Sequence, residues 1–125
     1  MAITETELKL MAALASAGAE LLVVSRTLSE LEDVARDIKE NGGRAQVLPL
    51  DVTDSAAVRN AFAGVGALDI LVNNAGLNRP QPFLEVDEST LDRLLALNVR
   101  AAFLVAQASA RRMVAQGEGV IINMS

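Results

Sequence analysis

The 125-residue chain contains no histidine, cysteine, tyrosine or tryptophan. Each absence closes a class of chemistry. Without His and Cys there is no Ser-His-Asp or thiol nucleophile, no disulfide framework and none of the usual zinc sites. Without Tyr no phenol can serve as a general acid. Proton transfer is left to carboxylates and two lysines, Lys9 and Lys39. Aromatic residues make up only 2% of the chain although 51% of it is apolar, so the core must be aliphatic. Such a composition suits helices layered on a parallel sheet whose strands are covered on both faces. No apolar run approaches the roughly 18 residues of a membrane span, and no signal peptide opens the chain. A net charge of −5 offers no basic surface for phosphates, which excludes a nucleic-acid partner. The expectation is a cytoplasmic protein of one domain, residues 1–125, without membrane or metal.

What is present alternates between two periods. Thr4-x-x-Glu7 is a capping box, followed by Leu8, Met11, Ala12 and Ala15 at helical spacing, with Gly18 as the stop. Leu21-Leu22-Val23-Val24 reads as a strand. Ser29-x-x-Glu32 reads as a second capping box, with Leu31, Val34, Ala35 and Ile38 on one helix face and Asn41-Gly42-Gly43 as the turn that ends it. Ala45 to Leu50 is the next strand, with Pro49 marking where pairing stops. Asp54 caps a helix over Ala56 to Ala63, and Leu68 to Val72 is a third strand. After a polar, proline-containing loop, Asp87 caps one long helix from Glu88 to about Ala115, ended by Gly117. Val120-Ile121-Ile122 is the last strand. A helix, three strand–helix pairs and a final strand predict an α/β fold of parallel strands with right-handed crossovers.

Ligands of open α/β sheets bind beyond the carboxyl ends of the strands. Those ends carry Ser25-Arg26-Thr27, Asp51-Val52-Thr53-Asp54 and Asn73-Asn74-Ala75-Gly76. Each segment also has a plainer explanation, as a polar turn, a helix cap or a positive-φ turn. Asn98 interrupts the apolar face of the long helix, between Leu97 and Val99, where Asn costs helix propensity. A mid-helix Asn is more often a satisfied core polar group than a catalytic one.

Together, in this order and spacing, these segments resemble the short-chain dehydrogenase/reductase family over about residues 10 to 125. The most specific part is Leu-Val-Asn-Asn-Ala-Gly with a helical Asn 22 positions after Gly76, followed by Val-Ile-Ile-Asn-Met-Ser. The resemblance implies a doubly wound Rossmann-like sheet. It places Asp51 and Val52 at the adenine ring and Asn74, Ala75 and Gly76 along the cofactor. It makes Asn98 the catalytic-helix Asn that helps order a water in a proton relay. Ser25 stands where members preferring NAD place an acidic residue, and Arg26 matches members that pair a guanidinium with the 2′-phosphate of NADP.

The sequence also departs from the family. The family's first strand and its Thr-Gly-x-x-x-Gly-x-Gly loop are not matched, because the first glycine of the chain is Gly18. The first helix instead opens with Glu5 and Glu7, which repel a phosphate where backbone N–H groups should hold one. Ser125 aligns just before the family's catalytic Ser, and no Tyr-x-x-x-Lys is present. With the central strand absent, the four strands are expected in the flavodoxin-like order 2-1-3-4. The expected activity is that of an NADP(H)-dependent oxidoreductase of carbonyl and alcohol groups. In this chain alone, NADP binding is expected to be weak or lost and catalysis absent, with Asn98 the one remnant of the catalytic set. The alternatives are a non-catalytic nucleotide-binding or scaffold module, and a half-enzyme completed by another polypeptide. A homo-oligomer through the 88–115 helix or exposed sheet surface is expected as well.

Overall fold

The computed structural model describes residues 4–73 and 80–124. The elements run α1 (Glu5–Ser16), β1 (Glu20–Ser25), α2 (Leu28–Glu40), β2 (Arg44–Pro49), α3 (Ser55–Ala63), β3 (Ile70–Asn73), a 3-10 turn (Phe83–Glu85), α4 (Glu88–Leu95), a π-helical turn (Ala96–Ala101), α5 (Ala102–Gln116) and β4 (Val120–Asn123). This is the alternating α/β, Rossmann-like order expected. No helix among the described residues is long and apolar enough to cross a membrane. The chain divides into two units, Met1–Asp51 and Val52–Ser125.

The first unit is a β-α-β crossover preceded by a helix. Thr4 caps α1, its Oγ1 accepting from the Glu7 N–H at 3.2 Å. β1 and β2 pair in parallel from Glu20–Arg44 to Ser25–Pro49. Pro49 closes the strand as expected, and the next amide, Leu50 N–H, donates to the Ser25 carbonyl at 2.9 Å. α2 buries Leu31, Val34, Ala35 and Ile38 against Val23 and Ala45, with Met11 and Ala15 of α1 packed on the same cluster. That is the face its spacing predicted. Its start differs: Thr27, not Ser29, is the N-cap, and it makes no side-chain capping bond. Leu28 already belongs to the helix, so Ser29 lies inside the first turn and cannot cap it. Gly43 is required by space. A Cβ there would lie 2.8 Å from Ile38 Cγ2 and 2.9 Å from Ala15 Cβ, far inside van der Waals contact.

The second unit packs α3 and α5 beside the β3–β4 pair. Asp54 caps α3 through Oδ1, which accepts from the Ala57 N–H at 3.1 Å. Val58 and Phe62 of α3, and Ala101, Val105, Ala108 and Met113 of the long helix, are buried. Gly117 ends α5 at φ +90°, the left-handed geometry that glycine adopts without a Cβ clash.

Two long side chains of α5 complete this unit. Arg112 donates from Nε to the Phe62 carbonyl at 2.9 Å and from Nη2 to the Ala63 carbonyl at 2.6 Å, and Nη2 also reaches the Val65 carbonyl. It thereby caps the C-terminus of α3 with a positive charge, where the helix dipole favours one. Gln116 acts as a strand neighbour for Leu68, accepting from its N–H at 3.1 Å and donating to its carbonyl at 2.7 Å. The third strand, expected from Leu68, therefore begins only at Ile70: the backbone groups of Leu68 are taken by a side chain.

Two expectations need correction. The helix expected as one element from Glu88 to about Ala115 is interrupted by the six-residue π-helical turn Ala96–Ala101. The order 2-1-3-4 is not formed: the described strands make two separate parallel pairs, β1 with β2 and β3 with β4. Each ladder is fixed by the crossover that joins its own strands, α2 in the first pair and α4 to α5 in the second.

Candidate functional site

The candidate residues of the first unit lie at the carboxyl ends of β1 and β2. Ser25 is the last residue of β1 and is half-buried. Its Oγ accepts from the Thr27 N–H at 3.4 Å, turning the chain into α2. Arg26 sits between the two in an exposed position, presenting its guanidinium to solvent. Asp51, just past β2, is also exposed. It does not cap α3; that role falls to Asp54.

In the second unit Val52 is half-buried at the head of the turn that leads into α3. Asn74, Ala75 and Gly76 lie outside the described residues. The residue before them, Asn73, ends β3, is 92% buried as judged by its 8% exposure, and donates from Nδ2 to the Ala102 carbonyl at 2.8 Å. Its own carbonyl accepts from the Met124 N–H at 3.1 Å, extending the β3–β4 ladder by one bond. The sequence reading placed Asn73 in the turn; the structure makes it a buried tie between the strand end and the helix just after the π turn.

Asn98 lies within the π-helical turn and is exposed. It is not a core polar group. The buried side of this helix runs through Ala101, Val105 and Ala108, with Leu94 and Leu97 half-buried, so Asn98 falls outside the apolar face. π turns are rare and concentrate at functional sites, because the wider turn changes which side chains and carbonyls face a neighbour. Two residues on, Arg100 donates from Nη1 to the Thr53 carbonyl at 3.4 Å. Among the described residues no group of acidic side chains is placed to hold a metal.

Comparison with known proteins decides the lineage of this arrangement. The family model for short chain dehydrogenase matches residues 8–125. The chain belongs to that family. It is 40% identical over 114 residues to an L-xylulose reductase of Bos taurus, and 37% identical over 115 residues to a gluconate 5-dehydrogenase of Gluconobacter oxydans (strain 621H). These matches cover 90% and 89% of the chain but 45% of each relative, so the chain spans just under half the length of the curated relatives it matches. Among solved structures, a short-chain type dehydrogenase/reductase from Mycobacterium marinum superposes with a TM-score of 0.87 at 38% identity, covering 94% of this chain and 49% of that one. A metagenomic short-chain oxidoreductase in complex with NADP gives 0.88 at 33% identity, covering 95% and 56%.

One part of this family member does not fit the pyrophosphate of a dinucleotide. The first turn of α1 carries Glu5 and Glu7, and Glu5 is paired with Lys9 at 3.2 Å along the helix. The Glu7 N–H, one of the groups that would meet a phosphate, is already bonded to Thr4 Oγ1. An anion approaching this helix end meets the Glu5 and Glu7 carboxylates and an amide already bonded to Thr4.

Proposed function

We propose that this chain carries part of the cofactor-binding half of an NADP(H)-dependent oxidoreductase of carbonyl and alcohol groups, and that by itself it binds NADP weakly or not at all and does not catalyse. The reading rests above all on one observation: the acidic first turn of α1, with Thr4 already occupying the Glu7 amide. It turns away the charge that a dinucleotide must place there. The composition supports the second half of the reading: there is no Tyr, His or Cys, and Asn98 alone cannot give a proton to a carbonyl or take one from an alcohol.

The preference for NADP follows from Ser25 and Arg26. A neutral residue with its hydroxyl turned to its own backbone leaves no carboxylate to repel a 2′-phosphate, and the exposed guanidinium beside it can pair with one. Asp51 and Val52 are assigned to the adenine side, and Asn74, Ala75 and Gly76 to the cofactor wall. Titration of the chain with NADPH, followed by nicotinamide fluorescence, tests this reading. No saturable binding below about 1 mM is expected, and turnover of any carbonyl substrate by the chain alone would overturn the proposal.

A second reading, a self-associating module without chemistry, is favoured by the surface of the long helix. Leu91, Leu95, Val99 and Phe103 recur every four residues and are 47%, 50%, 61% and 65% exposed. The 3-10 turn before α4 adds Phe83 and Leu84, both almost fully exposed. A contiguous apolar stripe of this kind on a helix marks an association surface, and a homo-oligomer is the occupant we assign to it.

A further inference from the structure

We propose that Arg100 is a positioning residue that holds the π turn bearing Asn98 in register with the turn bearing Val52. The inference rests on the proposed assignments of Val52 to the adenine side and of Asn98 to the catalytic helix. It goes beyond those assignments by naming what ties the two together.

Arg100 lies inside the π turn, two residues from Asn98, and its guanidinium donates to the Thr53 carbonyl, one residue from Val52. The bond joins residues 47 apart in sequence. The π turn has a second anchor on its other side, where the Asn73 amide donates to the carbonyl of Ala102, the first residue after it. A helical turn with six residues in the π register has lost the ordinary i to i−4 ladder, so its conformation depends on such outside contacts. The Thr53 turn has the same need. Its order is fixed from α3 by Asp54, which accepts from the Ala57 N–H through Oδ1 and from the Val58 N–H through its carbonyl, and from the long helix by Arg100. One exposed guanidinium thus couples the two turns.

Arg100 is exposed, so replacing it leaves the core intact. Amide exchange of the full chain is compared for wild type, Arg100→Ala and Arg100→Lys. In Arg100→Ala the amides of Ala57 and Val58 and those of residues 100–102 exchange faster by about fivefold, the effect of losing one hydrogen bond from a charged donor to a solvent-facing carbonyl. Amides of α2 keep their wild-type rates. Arg100→Lys, which can still donate to the Thr53 carbonyl, restores most of the protection in both segments. Unchanged exchange in either segment overturns the proposal. So does faster exchange spread equally over α2, or a lysine variant no better than alanine, since each marks a general loss of stability. The readout needs no cofactor: failure of NADPH binding leaves it intact, and its own failure leaves the cofactor assignment standing.

Discussion

Removal of the Arg112 guanidinium should destabilise the second unit by roughly 2–4 kcal/mol. Arg112 reaches three carbonyls at the end of α3, those of Phe62, Ala63 and Val65. A hydrogen bond from a charged donor contributes a net ~1.5–3 kcal/mol when buried and less where water can replace it. Arg112 is half-buried and the α3 terminus is partly open, so about 0.5–1 kcal/mol for each of three bonds is the fitting value. The charge at the negative end of the α3 dipole adds roughly 0.3–1 kcal/mol.

Arg112→Met is the informative variant because it keeps an aliphatic stem of similar length while deleting every donor. Arg112→Lys separates the charge from the geometry. A single ammonium keeps the dipole interaction and one bond but cannot bridge three carbonyls, so it should recover about 1 kcal/mol of the loss. Urea denaturation followed by circular dichroism gives both values, read as a shift in midpoint at constant slope. A methionine variant within about 0.5 kcal/mol of wild type, below the usual range for such a network, would refute the reasoning and leave α3 held by Val58 and Phe62 alone.

Two further outcomes are expected. The Asp87 carboxyl is held below its ordinary value of 3.8, first by the Thr90 side-chain hydroxyl and then by the Thr90 backbone N–H, whose bond to Oδ1 is 2.8 Å. A lowered folded-state value means the cap's contribution is complete above 3.8 and lost as pH falls through the folded value; helix content of α4 should therefore decline only below that pH, and Asp87→Asn should abolish this part of the acid transition in a circular-dichroism titration. For association, Val99→Arg places a charge in the middle of the exposed stripe, and light scattering should then report the 13.2 kDa monomer in place of a multiple of that mass. A wild-type chain already monomeric at micromolar concentration removes the basis for that reading.

Local rules made much of the fold legible. Thr4, Asp54 and Asp87 cap the helices they were expected to cap, because an N-cap needs only an acceptor three residues before an amide. The buried face of α2 follows from the spacing of Leu31, Val34, Ala35 and Ile38 alone. Ser29 shows the limit of such rules. The Ser29-x-x-Glu32 pattern fits a capping box, but α2 buries Leu31 completely and starts two residues earlier, and tertiary packing sets the helix phase.

The side chains that tie the second unit together left no comparable mark. Arg112 and Gln116 read as the solvent face of a helix, yet their partners lie 47 to 50 residues away. An Arg that caps another helix has no sequence neighbour to betray it. The π turn is equally silent, since the apolar spacing through Leu94, Leu97, Ala101 and Val105 fits an uninterrupted α-helix. The plainer reading of Asn98, a satisfied core polar group, assumes that every residue between apolar neighbours shares their face. Asn98 is instead exposed, beside a half-buried Leu97 and an exposed Val99. The local oddity, a poor helix former in mid-helix, coincides with the π turn. An exposed Asn adds nothing to the core and costs helix propensity, and the turn that carries it is tied down by Asn73 just beyond its end and by Arg100 within it.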